Sequence, residues 1–298
     1  MIACQARANG ELSHQLGNAP QAALVSFSSG LLLILIYSAF SKRVRAGVAR
    51  LRDAVRAGSL PRWRLLAGVL GGFFVAIQTS IVPFIGVAVY SVASIAGQTA
   101  VSLLVDRIGI TGGGPKLISP RRIAAAAITV LAVLVSVWDQ LQGVDFSILY
   151  VSLAGLAGAL VGFQRALNGE INEYAKESYT TSLFNFITGT SFLLVFLLIL
   201  NLVGRNELKP LPTGPWWIYT GGAIGVVYIA MTALIVQHLG VLTFTLVSVG
   251  GNLFGSLLLD IYFPTEGISV SWYLVSGIAM TYLGVLVGGA NQSRRART

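Results

Sequence analysis

Nine apolar stretches, each about as long as one membrane crossing and joined by short polar segments, constrain this chain more than any other feature. They run near Ala22 to Phe40, Leu65 to Pro83, Val87 to Val105, Ile123 to Trp138, Ser147 to Leu167, Ser182 to Val203, Trp217 to Val236, Val241 to Leu259 and Ser271 to Gly288. A hydrocarbon layer about 30 Å thick takes about 20 helical residues to cross, so 298 residues hold roughly ten crossings and little else. Charged residues make up 10% of the chain, against roughly 25% in soluble domains, which excludes a soluble globular fold. The 34 glycines suit close helix packing within a bilayer. The expected fold is an all-α integral membrane protein: a ten-transmembrane-helix bundle whose first helix is the polar opening segment. Pro83 is expected to end or kink the third span.

The placement of charge sets the expected orientation. The segment Ser41 to Arg64 carries Lys42, Arg43, Arg45, Arg50, Arg52, Arg56, Arg62 and Arg64 against Asp53 alone, which marks the cytoplasmic side. Alternating from there puts Arg107, Lys116, Arg121, Arg122, Lys176 and the tail Arg294, Arg295 and Arg297 inside, so the C-terminus is expected in the cytoplasm. The outer side receives Arg205 and Lys209, and the loops Asp139 to Asp145 and Asp260 to Glu266 contain no Lys or Arg. The net charge of +9 thus reads as membrane topology, and nucleic acid is not expected as a partner. Cys4 is the only cysteine, and His14 and His238 stand apart from any ligand spacing, so neither a metal nor another cofactor is expected. Gly112 to Lys116 lacks the ending of a phosphate loop, and no zinc-protease or nucleophile-elbow motif occurs, so an enzyme is not expected.

The chain also repeats itself. At an offset of about 159, Gln5, Asn9, Gly10 and Glu11 fall on Gln164, Asn168, Gly169 and Glu170, and Phe27 and Gly30 fall on Phe186 and Gly189. At about 154, Gly86 meets Gly240, Ser94 meets Ser248, Gly97 meets Gly251, Gln98 meets Asn252 and Asp106 meets Asp260. The reading is a duplication, with a first five-helix repeat over 1–142 and a second over 143–298. Five is odd, so the repeats are expected to have inverted topology. Leu160 would align with Met1, which leaves Tyr150 to Ala159 without a counterpart. The first helix is therefore expected to be N-terminally truncated, with about 10 to 15 apolar residues belonging upstream.

Gln5, Asn9, Phe27 and Gly30, repeated as Gln164, Asn168, Phe186 and Gly189 and followed by short loops and apolar runs, resemble the YdcZ family of the drug/metabolite transporter superfamily, as two fused five-span units. The resemblance covers nearly the whole chain. It implies a plasma-membrane (inner-membrane) bundle working by alternating access, related to small exporters, and it implies no particular solute.

Charges inside a membrane are expensive and tend to be functional, so Glu11 and Glu170 are proton-coupling candidates, with an interfacial or capping role as the alternative. Arg7 and Arg165 would tune them by opposite charge. Arg7 and Glu11 are four apart and able to pair, whereas Arg165 must find its partner on another helix or on solute, or snorkel to the surface. Gln5 with Asn9, and Gln164 with Asn168, each share one helix face and are candidates to bind substrate or to bond a neighbouring helix. A stripe of small polar residues, Ser91, Ser94, Gln98 and Ser102, recurs as Thr245, Ser248, Asn252 and Ser256. It reads as close packing beside Gly97 and Gly251, with Gln98 and Asn252 as alternative cavity donors. The four charges sum to zero, which favours a neutral, zwitterionic or amphiphilic solute. The function expected is secondary active transport of a small organic solute, in the export direction and proton-coupled, with the lipid bilayer as medium and a monomer as functional unit, a dimer being the alternative. The rival is a non-transporting membrane scaffold or lipid-binding protein in which these polar residues only join helices.

Overall fold

Every regular element among the described residues is helical. The computed structural model describes residues 1–110, 119–136, 138, 148–204, 207–239, 241–263 and 270–289. The loops Gly112 to Lys116 and Asp139 to Asp145, Arg205, Gly240 and the basic tail from Arg294 lie outside these residues, as do the side chains of Asp106, Arg122, His238 and Thr245.

Helix α1 (Ile2–Leu16) ends at Gly17 in the left-handed conformation (φ 57°), which glycine adopts without strain. Helix α2 (Ala19–Phe40) then starts on Asn18, whose side chain accepts a hydrogen bond from the Gln21 N–H. The same device recurs 159 residues later. Helix α6 (Ile148–Ala175) ends at Lys176 with φ 51°, and α7 (Ser178–Leu202) starts on Glu177, whose carboxylate accepts from the Thr180 N–H. Between α2 and α4 lies α3 (Lys42–Arg56), capped by Ser41. It buries Val44, Gly47 and Leu51 against the α6–α7 corner, where the Arg50 Nε–H donates to the Ala175 carbonyl and the Thr180 hydroxyl to the Val44 carbonyl.

Helix α4 (Ala67–Ile108) has 42 residues with one non-helical residue, Gly86, at φ 76° and ψ 168°. A straight helix of that length would measure about 63 Å, twice the hydrocarbon thickness. The packing shows that it doubles back. Gly71 lies against Gln164, while Gly97 lies against Gly155 and Ala159 of the same helix α6. Those α6 positions are about 8 to 14 Å apart, whereas residues 71 and 97 of a straight helix would be about 39 Å apart. The helix continues through Pro83, so the expected interruption falls at Gly86 instead. A proline deletes one backbone bond within a helix, whereas φ 76° with ψ 168° ends the helical path. The turn is held from a distance: the Val87 and Ala88 N–H groups donate to the Asp260 carboxylate at 3.3 and 2.7 Å. Asp260, expected in an outward loop, is instead the buried cap of this turn, because α9 (Val241–Tyr262) runs three residues past the predicted span.

The remaining helices are α5 (Pro120–Ser136), α8 (Gly221–Leu239) and α10 (Trp272–Gly289). Length and composition fit membrane crossing for Ala19–Phe40, Arg62–Val105, Ile148–Ala175 and Ser178–Leu202, beside shorter apolar helices. The contacts between them come in matched pairs. A Cβ on Gly30 would enter the Phe186 ring, and one on Gly189 would enter the Phe27 ring, the two rings lying 5.1 Å apart. Gly68 meets Asn185 and Gly222 meets Ser26; Gly71 meets Gln164 and Gly225 meets Gln5. One pair is unmatched, since Gly97 is closed by the Gly155 backbone while a Cβ on Gly251 would meet nothing within 4 Å.

Candidate transport site

The candidate site is polar because α1 brings Gln5 there and α6 brings Gln164 and Asn168, with Gly225 and Gly71 as seats that let the helices approach. Gln5, Gln164, Arg165 and Asn168 line one narrow cavity with Phe27, Phe74, Phe186 and Tyr228. Its volume is about 40 Å³, above the roughly 10 to 15 Å³ that one water needs. Ile2, Arg165, Tyr228 and Thr232 also border a second cavity of about 250 Å³, which Gln98, Ser248 and Asn252 reach from α4 and α9. This space lies beside Gly251, where a Cβ would meet no atom of the described residues within 4 Å.

The amides are partnered across helices. Gln164 donates to the Asn185 side-chain oxygen at 2.7 Å, and Asn185 donates on to Asn168 at 2.7 Å. Gln5 donates to the Gly221 carbonyl, and Asn9, fully buried outside both cavities, donates to Gln78 at 3.0 Å. Arg165 is 3% exposed, so it does not snorkel. Its guanidinium donates to the Tyr228 hydroxyl and lies 5.2 Å from the Phe244 ring centre. The Oγ1 of Thr232 and the Oδ1 of Asn252 are buried without a partner among the described residues, and both residues border the second cavity.

The two glutamates occupy unlike surroundings. Glu11 pairs with Arg7 at 3.5 Å, accepts from Gln15, and lines a wide vestibule of about 710 Å³ between α1 and α4. Glu170 is 7% exposed and forms an ion pair with Arg64, from the 3₁₀ turn Arg62–Leu66. The position matching Arg64 at the offset of 154 is Ile218, so that ion pair has no mirror image.

The family model described as "Putative inner membrane exporter, YdcZ" matches residues 1–135 and 149–287. The chain belongs to the YdcZ family. It is accordingly a membrane protein of a transporter family, not of an enzyme family. No curated protein matches it closely enough to count as a relative. In this YdcZ-family chain the cavities bring together Gln5, Gln164, Arg165, Asn168, Gln98 and Asn252, and leave Asn9, Arg7, Glu11 and Glu170 outside them. Asn185, Gln78 and Arg64 escaped the sequence reading. Asn185 and Gln78 had a signal, as amides inside apolar runs, where each needs a partner. Arg64 had none beyond being one of many loop cations.

Proposed function

We propose that the protein is a proton-coupled secondary carrier that exports a small organic solute across the inner membrane by alternating access. In this reading ten spans form two inverted five-helix repeats over 1–142 and 143–298, with α4 supplying two spans and α3 none, and the C-terminus lies in the cytoplasm. The observation that carries the reading is the central cavity. Buried amides and a buried arginine from both halves meet there, and the unsatisfied Thr232 and Asn252 oxygens beside it offer hydrogen bonds to a solute. The two separate segments that the family model matches, paired caps at Asn18 and Glu177, and the reciprocal Gly30–Phe186 and Gly189–Phe27 contacts support the duplication. A pseudo-two-fold relation of this kind is what such carriers use to open one side at a time. The Arg64–Glu170 pair closes one end of α6 while Glu11 stands in an open vestibule, as expected of a carrier closed on one side.

Glu11 and Glu170 are the proposed proton exchangers, Arg7 and Arg165 tune charge, and Gln5, Asn9, Gln164, Asn168, Gln98 and Asn252 bind solute or hold the site. The test is proton release from purified protein on addition of a metabolite panel, for wild type, Glu11→Gln and Glu170→Gln. Release that either substitution reduces is expected; no release from folded wild type would exclude coupling. One observation favours the scaffold reading: Gln164, Asn185 and Asn168 already bond in a chain within the bundle, and Asn9 already donates to Gln78. Thiol labelling of cysteines placed at positions 9 and 168 in a Cys4→Ser background separates the two. Water reaches both positions in a carrier and neither in a scaffold.

A further inference from the structure

Helix α3 is amphipathic, yet its apolar face is already used. Val44, Gly47 and Leu51 are buried on the α6–α7 corner, so its opposite face is left to meet something else. With 3.6 residues per turn, Lys42, Arg45, Arg52 and Arg56 fall within an arc of about 80° on that opposite face. All four are exposed, as is Arg43 on the flank, and Asp53 is the one acid of the helix. The two ion pairs among the described residues, Arg7–Glu11 and Arg64–Glu170, involve none of them.

The position of α3 decides what kind of anion this face meets. Helix α2 has 22 residues, about 33 Å and so one hydrocarbon thickness, and it ends at Phe40, 84% exposed, a single residue before α3 begins. On the other side Trp63 is 51% exposed and Leu66 52%. Exposed aromatic and aliphatic side chains at both ends of a basic helix are membrane-interface anchors. In a bilayer, such side chains would set the arc at the depth of the headgroups. A soluble polyanion would have no use for that apolar border.

We propose that the outward face of α3 is a binding surface for anionic phospholipid headgroups, with Lys42, Arg45, Arg52 and Arg56 engaging phosphodiester oxygens and Phe40 and Trp63 bordering the acyl region. Juxtamembrane cations in such a layer each add appreciably to the binding of acidic lipid. The surface is independent of the solute and of proton coupling, and rests only on the chain's being embedded in a membrane.

The test titrates full-length protein in a zwitterionic detergent with dioctanoyl phosphatidylglycerol and, separately, dioctanoyl phosphatidylcholine, following tryptophan fluorescence. Wild type is expected to prefer phosphatidylglycerol. Replacing Lys42, Arg45, Arg52 and Arg56 by Gln is expected to weaken that binding by roughly fivefold per cation, leaving phosphatidylcholine binding unchanged, whereas Arg45→Lys, Arg52→Lys and Arg56→Lys together should retain the preference. Should the four-Gln variant not fold, wild type itself carries the test, because its preference must collapse as salt rises to about 0.5 M. Equal affinity for the two lipids overturns the proposal. So does tight binding of a short RNA duplex without preference for phosphatidylglycerol, which would assign the face to nucleic acid.

Discussion

Glu170 and Arg64 form a pair whose members are not equally replaceable. Glu170 is buried and Arg64 is partly open to solvent, so deleting the arginine strands a buried carboxylate, while deleting the carboxylate leaves a cation that can turn to water. Arg64→Gln should therefore destabilise the protein more than Glu170→Gln, by about 1 to 3 kcal/mol, read as the gap in thermal unfolding between the two variants in detergent. Equal losses would mean that the pair adds nothing beyond side-chain packing. The two aligned glycines also differ. An Ala at 97 would drive its Cβ into the Gly155 backbone, whereas one at 251 meets open space. Gly97→Ala should cost about 1 to 3 kcal/mol, and Gly251→Ala should be neutral or gain up to about 1 kcal/mol from helix propensity. Matching costs for the two would show that Gly251 is as tightly covered as Gly97.

At the scale of elements, α4 depends on one residue conformation and one distant cap. The backbone at Gly86 lies where side-chain-bearing residues are strained, at about 1 to 3 kcal/mol, so Gly86→Ala should lower stability by about that amount. Asp260→Ala should cost about 0.5 to 2 kcal/mol by removing the acceptor for the Val87 and Ala88 N–H groups, and Asp260→Asn, which keeps an acceptor oxygen, should cost less. Urea or thermal unfolding of the three variants ranks them, and an Asp260→Ala variant as stable as wild type would mean that water replaces the carboxylate. The break itself was legible, because the gap between the runs ending at Pro83 and starting at Val87 contains Gly86. The cap was not. Asp260 sat at the end of an apolar run and read as loop, since hydropathy sees where a helix leaves the membrane and not what its last turn touches. Helix α3 was read as a cytoplasmic loop for a related reason: its many charges hid Val44, Val48, Leu51 and Val55 at helical spacing. The amides of α1 and α6 stood out because polar groups in apolar runs are few. Which helix satisfies them depends on how each helix is rotated, and an apolar run leaves that rotation undetermined.

For the whole molecule, several residues 159 apart in sequence have like local structure. Gly17 and Lys176 share the left-handed turn, and Asn18 and Glu177 share the cap that follows. Phe27 and Phe186 occupy equivalent places, each seated on the other half's glycine. Phe27→Ala and Phe186→Ala should therefore destabilise to a similar degree, about 3 to 5 kcal/mol each, with the double variant less than additive because the rings touch. A double-variant cycle on thermal stability checks this; strict additivity would show that the two rings act independently.

The exchange of rings and glycines between α2 and α7 has a consequence for ancestry and engineering. On the proposed inverted arrangement, each half carries both the plug and the socket that its counterpart needs, so Phe27 and Gly30 of one copy of residues 1–135 could pair with Gly30 and Phe27 of another copy inserted upside down. A gene encoding a single half, translated into both orientations, would already hold the parts of a two-chain assembly. Joined in one chain, such halves would be free to differ, as these do where Arg64 aligns with Ile218.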